Sequence, residues 1–434
     1  MNILKQWLRR EDDRNCTRTK AAEESLSRDR SLMLHVRDVA VFNPTISARA
    51  CKAPNAHAME DRSQADKSSL DMSIERDVLR VLVATPLGQF GRGGIDRLTD
   101  LIVETIGRRK DLGVEVERLV TRGEKGWWPL VFASALCQLG VAIARRDVDL
   151  VHIQLAWGGS IYRKLMIAAI ARYLRVPYVV HLHSGRFDRS WADAGKYLAR
   201  RIDRLFMDSA AIVVLGQCWA RLVLGRLPDV KDKLTVLPNT TAAPSGPHQL
   251  RSNGDRIQIT FLGHVQPEKG VPQLIEALGR LSARADWSAT IAGNGELDQS
   301  RSHARRLGIA DRVDIPGWLS PHETAALLRS TDILVLPSFV ENLPMVVIEG
   351  FAYGLAVVAT PVGAVPEVIT DGRNGLLVPV GDVEALAGAL HRLLENGELR
   401  RNLADAARCD YAERYEIGGY ITRLVSTWRR AAKC

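Results

Sequence analysis

No stretch of about 18 apolar residues free of charge occurs in the 434-residue chain, so no membrane-spanning helix is expected. The longest apolar segment, 130–144, carries Gln138 and Gly140 and stops at Arg145 and Arg146, which suits a buried or interfacial helix. The N-terminus lacks an apolar core of the kind a secretory leader needs, so the chain reads as cytoplasmic. The six cysteines, Cys16, Cys51, Cys137, Cys218, Cys409 and Cys434, never fall in CxxC spacing. That argues against a zinc site and for a reducing compartment. Also missing is a GxGxxG turn after the first strand with an acid about 20 residues further on. This counts against a nicotinamide-dependent Rossmann dehydrogenase. No repeat with a period of about 20–50 residues is present either.

Apolar residues make up 46% and charged residues 25%, near the averages for soluble globular proteins. The length sets a soft expectation of about two or three domains. A net charge of +9 and a pI near 9.4 point to an anionic partner, whether nucleic acid, a membrane surface or a phosphorylated substrate.

Residues 1–75 are dense in charge of both signs and poor in apolar runs, so they read as a disordered extension. Met72 lies just ahead of the first convincing strand, which makes it a candidate start. From residue 77 onward, short β-branched runs alternate with longer amphipathic segments. Strands are expected at 78–84, 114–120, 150–153, 178–183, 211–215 and 234–237. The stretch 240–256, rich in small and polar residues, reads as a linker. A second series of strands follows at 257–262, 288–292, 313–315, 333–336, 356–359 and 375–378, with helices such as 272–285, 321–330 and 383–394 between them. Alternation of this kind implies parallel sheets buried on both faces. The expected architecture is α/β: two Rossmann-like domains, 76–240 and 257–410, facing across one cleft, with 411–434 a helix crossing back to the first domain. Ligands bind beyond the carboxyl ends of such strands.

The most informative segment is PSFVENLPMVVIEGFAYG, residues 337–354. It follows an apolar strand, and Pro344 suits a first helical turn, where its missing N–H costs nothing. The amides from Asn342 through Leu343 and Pro344 to Met345 would then sit at a helix start that favours an anion such as a diphosphate. Glu349 lies about one and a half turns into that helix and is the only charge between residues 343 and 358. A carboxylate there must be paired or hydrogen-bonded; ribose hydroxyls would satisfy it, and so would a structural ion pair. In FLGHVQPEKG, residues 261–270, Gly263, His264 and Lys269 lie between a strand and a helix. GRGGIDR, residues 91–97, follows the first strand, and Gly93 and Gly94 permit close approach of a phosphate or sugar. HLHSGRF, residues 181–187, ends a strand, with His181 buried support and His183 at the carboxyl end. Arg186, Arg189, Lys196, Arg200, Arg201 and Arg204 fall in or near one predicted helix, either a solvated face or a surface for anionic lipid. Asp147 and Asp149 form a DxD pair, but they sit at the start of a strand, where a catalytic metal would be out of place.

These motifs resemble those of the large retaining glycosyltransferase family 4, which has the GT-B fold. The Glu341 and Glu349 pair and the segment running to Asp382 look like that family's donor-binding region. The resemblance implies that Glu341 contacts the transferred sugar and Glu349 the nucleotide ribose. It makes Lys269 and His264 the diphosphate ligands and brings His183 to the donor sugar or its phosphate. The family's glycine after the first glutamate is Asn342 here, and its loop arginine is His264. A largely neutral imidazole is a weaker phosphate ligand than a guanidinium, so the site has either a pH-sensitive contact or relies on Lys269 and helix amides. The segment 151–185, with Ser160 to Lys164, is similar to the subgroup building exopolysaccharide and lipopolysaccharide chains.

The resemblance therefore implies a hexosyltransferase using a nucleotide-diphosphate sugar as co-substrate, without metal or other cofactor. The acceptor would be a growing cell-surface polysaccharide or a lipid-linked saccharide. No nucleic-acid partner is expected, and the enzyme would sit peripherally on the inner face of the plasma membrane. Glu341 would position the sugar rather than bond to it, and closure of the cleft would limit hydrolysis. The alternative is a catalytically weak relative that acts as a nucleotide-sugar-binding or scaffold subunit.

Overall fold

The computed structural model describes residues 78–88, 93–123, 128–244, 246 and 256–433. The expected extension 1–75, the candidate start at Met72, Gly91 and most of the 240–256 linker lie outside the described residues.

The first half runs β1 (Leu79–Thr85), α1 (Gly94–Arg108), β2 (Val114–Val120), α2 (Trp128–Ala144), β3 (Leu150–Leu155), α3 (Gly159–Tyr173), β4 (Tyr178–Leu182), α4 (Phe187–Ala192), α5 (Lys196–Met207), β5 (Ala211–Val214), α6 (Gln217–Arg226) and β6 (Leu234–Val236). The second runs β7 (Ile257–Leu262), α7 (Val271–Arg280), β8 (Trp287–Ala292), α8 (Leu297–Arg306), β9 (Val313–Gly317), α9 (Pro321–Arg329), β10 (Ile333–Leu336), α10 (Met345–Tyr353), β11 (Ala356–Ala359), α11 (Val365–Val368), β12 (Leu376–Leu377), α12 (Val383–Glu395), α13 (Gly397–Asp410) and α14 (Ile417–Ala432).

Each half is a six-stranded parallel sheet. The orders are β2-β1-β3-β4-β5-β6 and β12-β11-β10-β7-β8-β9. The central strands β3, β4, β5, β10 and β11 are buried along their whole length; β5, β10 and β11 therefore read as continuous apolar runs, while β3 and β4 also bury His152, Gln154 and His181. In both sheets the strand order reverses beside the first strand, at β1/β3 and at β7/β10. Such switch points open a crevice beyond the carboxyl ends, and Gly94, His183, Lys269 and Glu341 emerge at those two crevices.

Helix ends follow local chemistry. Ser320 and Glu323 form a reciprocal capping box at the start of α9, and Asp382 caps α12 through the Ala385 amide. Pro344 is the N-cap of α10, with ψ of 130°, rather than a residue of its first turn. The helix expected at 272–285 stops at Arg280, because residues 281–283 turn away. The basic run expected near one helix is split between α4 and α5, since residues 193–195 break the helix and Gly195 enters α5 with an extended ψ of 148°.

After a five-residue π-turn, Tyr411–Tyr415, the chain returns to the first sheet. Thr241 and Glu416 form an isolated parallel bridge where the outgoing and returning segments of the chain pass. In α14, Tyr420, Ile421, Leu424, Val425 and Trp428 pack into one apolar layer with Val81, Val83, Leu98, Ile102, Val179 and Val213. That layer covers one face of the first sheet, so the last helix of the chain completes the core of the first half.

Candidate functional site

A cavity of about 370 Å³ lies where the two crevices meet. Gly94 and Ile95, His183 to Arg186, and Asn239 line it from the first half; Lys269 and Val340 to Met345 line it from the second. The segments responsible all follow strand carboxyl ends, so the fold delivers them without long loops.

Glu341 is the centre of the second wall. Its Oε1 accepts from Lys269 Nζ at 2.6 Å and from Ser338 Oγ at 2.9 Å. The glutamate side chain is 11% exposed and the lysine 24%, so the pair is partly desolvated and lies on the cavity wall. Gly270, immediately after Lys269, has φ of +71° and lies against the Pro337 carbonyl. A side chain there would be strained and would collide, which explains the Lys-Gly order of the loop.

Glu349 stands one helix further in. It is 3% exposed and does not line the cavity; its Oε1 takes Arg97 Nη2 at 2.5 Å. Arg97 comes from α1, so this ion pair joins the two halves. Within GRGGIDR, the one signal for Arg97 is its position one turn past Gly93 on a helix start.

Four further contacts hold the cleft shut. Asn342 Nδ2 donates to the Leu182 carbonyl at 3.1 Å. Asn239 Nδ2 donates to the Leu343 carbonyl at 2.6 Å. The Glu367 carboxylate of α11 accepts from the Gln217 and Cys218 amides at 2.6 and 2.7 Å, capping α6 from the other half. Arg186 pairs with Glu268. The Asn342 that replaces the family glycine thus has a task of its own, as a bridge between the halves. Gly185 lies against the same backbone: a Cβ there would overlap the Glu341 carbonyl and the Asn342 nitrogen. The carboxamide oxygens of Asn239 and Asn342 are shielded and have no hydrogen-bond partner among the described residues, an arrangement that costs free energy unless a ligand or water completes it.

The histidines at the end of β4 form a buried row. His183 lines the cavity, and its Nε2 is shielded and without a partner among the described residues. Its ring packs on His181 with centroids 4.0 Å apart. His181 Nδ1 meets His152 Nε2 at 3.3 Å, and the Trp428 indole donates to His152 Nδ1 at 2.9 Å. Burial, then the neighbouring His183 and Lys164 charges, pushes His152 down to about 3. Burial followed by Lys164 brings His183 to about 3, and burial followed by the His183 and His152 charges holds His181 well below 6.5. All three are therefore neutral imidazoles at neutral pH. Neither His152 nor Trp428 carried any signal in the sequence, since each reads as a core residue of its own element.

The loop after β1 is organised from beneath. Asp96, 2% exposed, accepts from Thr85 Oγ1 at 2.6 Å and from the Leu87 amide at 2.9 Å. Lys164, fully buried, donates to the Ala84 carbonyl at 2.7 Å. Burial, aided by Arg163 and opposed by Asp96, lowers its pKa to about 7. Lys164 thus supports the crevice from within the fold.

Some sequence candidates stand away from the cavity. Gly93 is the N-cap of α1, and only Gly94 reaches the lining. Gly263 and His264 follow β7, but neither lines the cavity, and His264 is exposed. The Asp149 carboxylate is held by Arg80 at the amino end of the strands, with Asp147 3.7 Å from the same guanidinium. Among the basic residues, Arg186 reaches the cavity, while Arg200, Arg201 and Arg204 stay exposed on α5.

Two doubly wound parallel sheets that meet carboxyl end to carboxyl end, with a glutamate and a lysine on the cavity between them, define a GT-B transferase. The chain belongs to the glycosyltransferases of this fold: residues 246–410 match the family described as glycosyl transferases group 1, and residues 76–240 match the glycosyl transferase 4-like domain. It is 33% identical to the lipopolysaccharide core biosynthesis glycosyltransferase LpsE of Rhizobium meliloti over 73% of this chain and 90% of that one. It is 32% identical to the MMP alpha-(1->4)-mannosyltransferase of Mycolicibacterium hassiacum over 73% of this chain and 79% of that one. Among solved structures, Anabaena Alr3699/HepE in complex with UDP and glucose shares the fold, with a TM-score of 0.65 at 17% identity over 81% of this chain and 99% of that one.

Proposed function

We propose that this glycosyltransferase moves a hexose, with retention of anomeric configuration, from a nucleotide-diphosphate sugar to a lipid-linked or cell-surface saccharide. The observation that carries this reading is the convergence of Glu341, Lys269, His183 and the start of α10 on one cavity. As the glycosidic bond to the donor breaks, negative charge grows on the leaving diphosphate. Lys269 and the amides leading into α10 compensate that charge, so the proposed reaction uses no metal ion. Glu341 holds the sugar, and the neutral His183 offers it one ring nitrogen as a hydrogen-bond partner. The ribose takes Glu349, displacing or sharing Arg97. Contacts between the halves keep water from the activated sugar.

The acceptor side of the reading rests on the surface of the first half. There α3 packs against both α2 and α5. These helices expose Leu130, Tyr162, Met166, Tyr173 and Tyr197 beside Arg200, Arg201 and Arg204. Aromatic and apolar side chains among arginines suit an anionic bilayer surface. Among the described residues no helix is long and apolar enough to cross a membrane. The name of the Rhizobium relative, which places it in lipopolysaccharide core synthesis, supports the same class of acceptor.

A panel of nucleotide sugars, assayed for release of nucleoside diphosphate with and without a lipid-linked saccharide, tests the proposal. Release that rises with acceptor is the expected result. Binding of a donor without turnover would instead favour the scaffold alternative, and neither binding nor turnover with any donor would refute the site.

A further inference from the structure

The indole of Trp428 can only donate, so its bond to His152 Nδ1 at 2.9 Å makes that nitrogen the acceptor. His152 is a neutral imidazole buried at 1% exposure, so its single proton must be on Nε2. That nitrogen lies 3.3 Å from His181 Nδ1, which must then accept, and the proton of His181 is in turn on Nε2. His181 ends the row with its ring against that of His183, 4.0 Å between centroids and tilted by 41°. One donor on α14 therefore sets the direction of both hydrogen bonds in the row, which passes to His183 by ring packing, His181 Nε2 having no hydrogen-bond partner among the described residues.

We propose that Trp428, acting through His152 and His181, fixes the tautomer of His181 and the orientation of His183, which makes Trp428 and His152 positioning residues for sugar transfer. This rests on the reading of His183 as a group that meets the donor. The row spans three elements far apart in sequence: β3 gives His152, β4 gives His181 and His183, and α14 gives Trp428. Without the indole, the His152–His181 bond has no preferred direction. His181 could then donate from Nδ1 to His152 Nε2, which removes the proton from its own Nε2 and changes the charge distribution of the ring packed on His183. Among the described residues, Lys164 is the cation that, after burial, lowers His152 and His183. No proton crosses the row during the reaction; its role is to hold one arrangement of three rings.

Nitrogen-15 NMR of the histidine-labelled full chain tests this, since the two imidazole nitrogens report their protons directly. The expected wild-type spectrum shows His152 and His181 both neutral with protons on Nε2. In Trp428→Phe, which keeps an aromatic ring and removes the donor, the Nδ1-protonated forms should appear for both. Wild-type His152 protonated on Nδ1, or identical tautomers in wild type and Trp428→Phe, would overturn the proposal. These spectra decide it even if no donor is turned over, so failure of the transfer reading is seen separately. Where turnover is measured, Trp428→Phe should lose roughly tenfold in kcat with the donor KM nearly unchanged. Leu424→Val, a core change on the same helix, should alter neither tautomers nor kcat. Normal kcat in Trp428→Phe would overturn the positioning role.

Discussion

Arg97 of α1 closes on the buried Glu349 of α10 at 2.5 Å, so the carboxylate proposed to hold ribose is already partnered by the opposite half of the molecule. A carboxylate at 3% exposure could not stand bare. On the proposed reading, a nucleotide would exchange one partner of Glu349 for another rather than fill an empty seat.

Removing the two partners should have opposite consequences for nucleotide. Glu349→Ala should weaken binding of the nucleoside diphosphate about tenfold or more, the size expected for hydrogen bonds to a charged group. Arg97→Ala leaves the carboxylate short of a partner, so the apo protein should melt earlier while nucleotide raises its melting temperature more than in wild type. Titration calorimetry and thermal melts check both, and wild-type affinity in Glu349→Ala would remove that residue from the site.

Glu341→Ala should act chiefly on turnover. The residue lies on the cavity wall beside Lys269 and Ser338. A drop in kcat of roughly a hundredfold with a modest change in donor KM is expected for a group that acts on the reacting sugar. Lys269→Ala should lower kcat and weaken nucleotide-diphosphate binding together, because the charge it meets exists before the bond breaks and grows as it does. Steady-state kinetics on the best donor distinguishes the two patterns.

Gly185→Val should pry the halves apart. Its side chain would enter space held by the Glu341 carbonyl and the Asn342 nitrogen, and both are backbone atoms that cannot rotate aside. Solution scattering should show a larger radius of gyration, and donor hydrolysis relative to transfer should rise as water gains access. An unchanged scattering curve would mean that the cleft stands open in solution without help.

Acid should unfold the protein early. His152, His181 and His183 are held neutral by burial, whereas the unfolded chain takes up protons near pH 6.5. Their stabilising contribution is full above that pH and is lost as pH falls below it, toward about 3 for His152 and His183 and well below 6.5 for His181. Three protons at about 1.4 kcal/mol each cost ~4 kcal/mol per pH unit. Against a typical domain stability of about 5–15 kcal/mol, the far-UV circular dichroism signal should collapse within roughly one to four units below pH 6.5. Lys164 works over a different range: it is lowered to about 7, so stability should rise as pH climbs from there toward 10.5. A fold intact at pH 3 would show that the histidines accept protons in place.

The alternation of apolar runs carried nearly all strand positions, because central parallel strands are buried on both faces and leave a continuous signature. Glu341 and Lys269 were legible for a similar reason: each lies in the short loop after a strand's carboxyl end, so chain order predicts where it emerges. The partners were not legible. Arg97 and Glu349 are 252 positions apart, and Trp428 meets His152 across 276. No periodicity records such pairings; they depend on how the two sheets face each other and on the path of the returning helix. The reason for Asn342 in place of the family glycine lies in the Leu182 carbonyl across the cleft, which no local sequence pattern records.

The position of α14 also bears on how the protein is made. The apolar layer on the first sheet lacks Tyr420, Ile421, Leu424, Val425 and Trp428 until the last helix has been translated. The half that is synthesised first is therefore the half that finishes last. While the second sheet emerges from the ribosome and closes locally, one face of the first stays greasy and exposed, a natural client for a holdase chaperone.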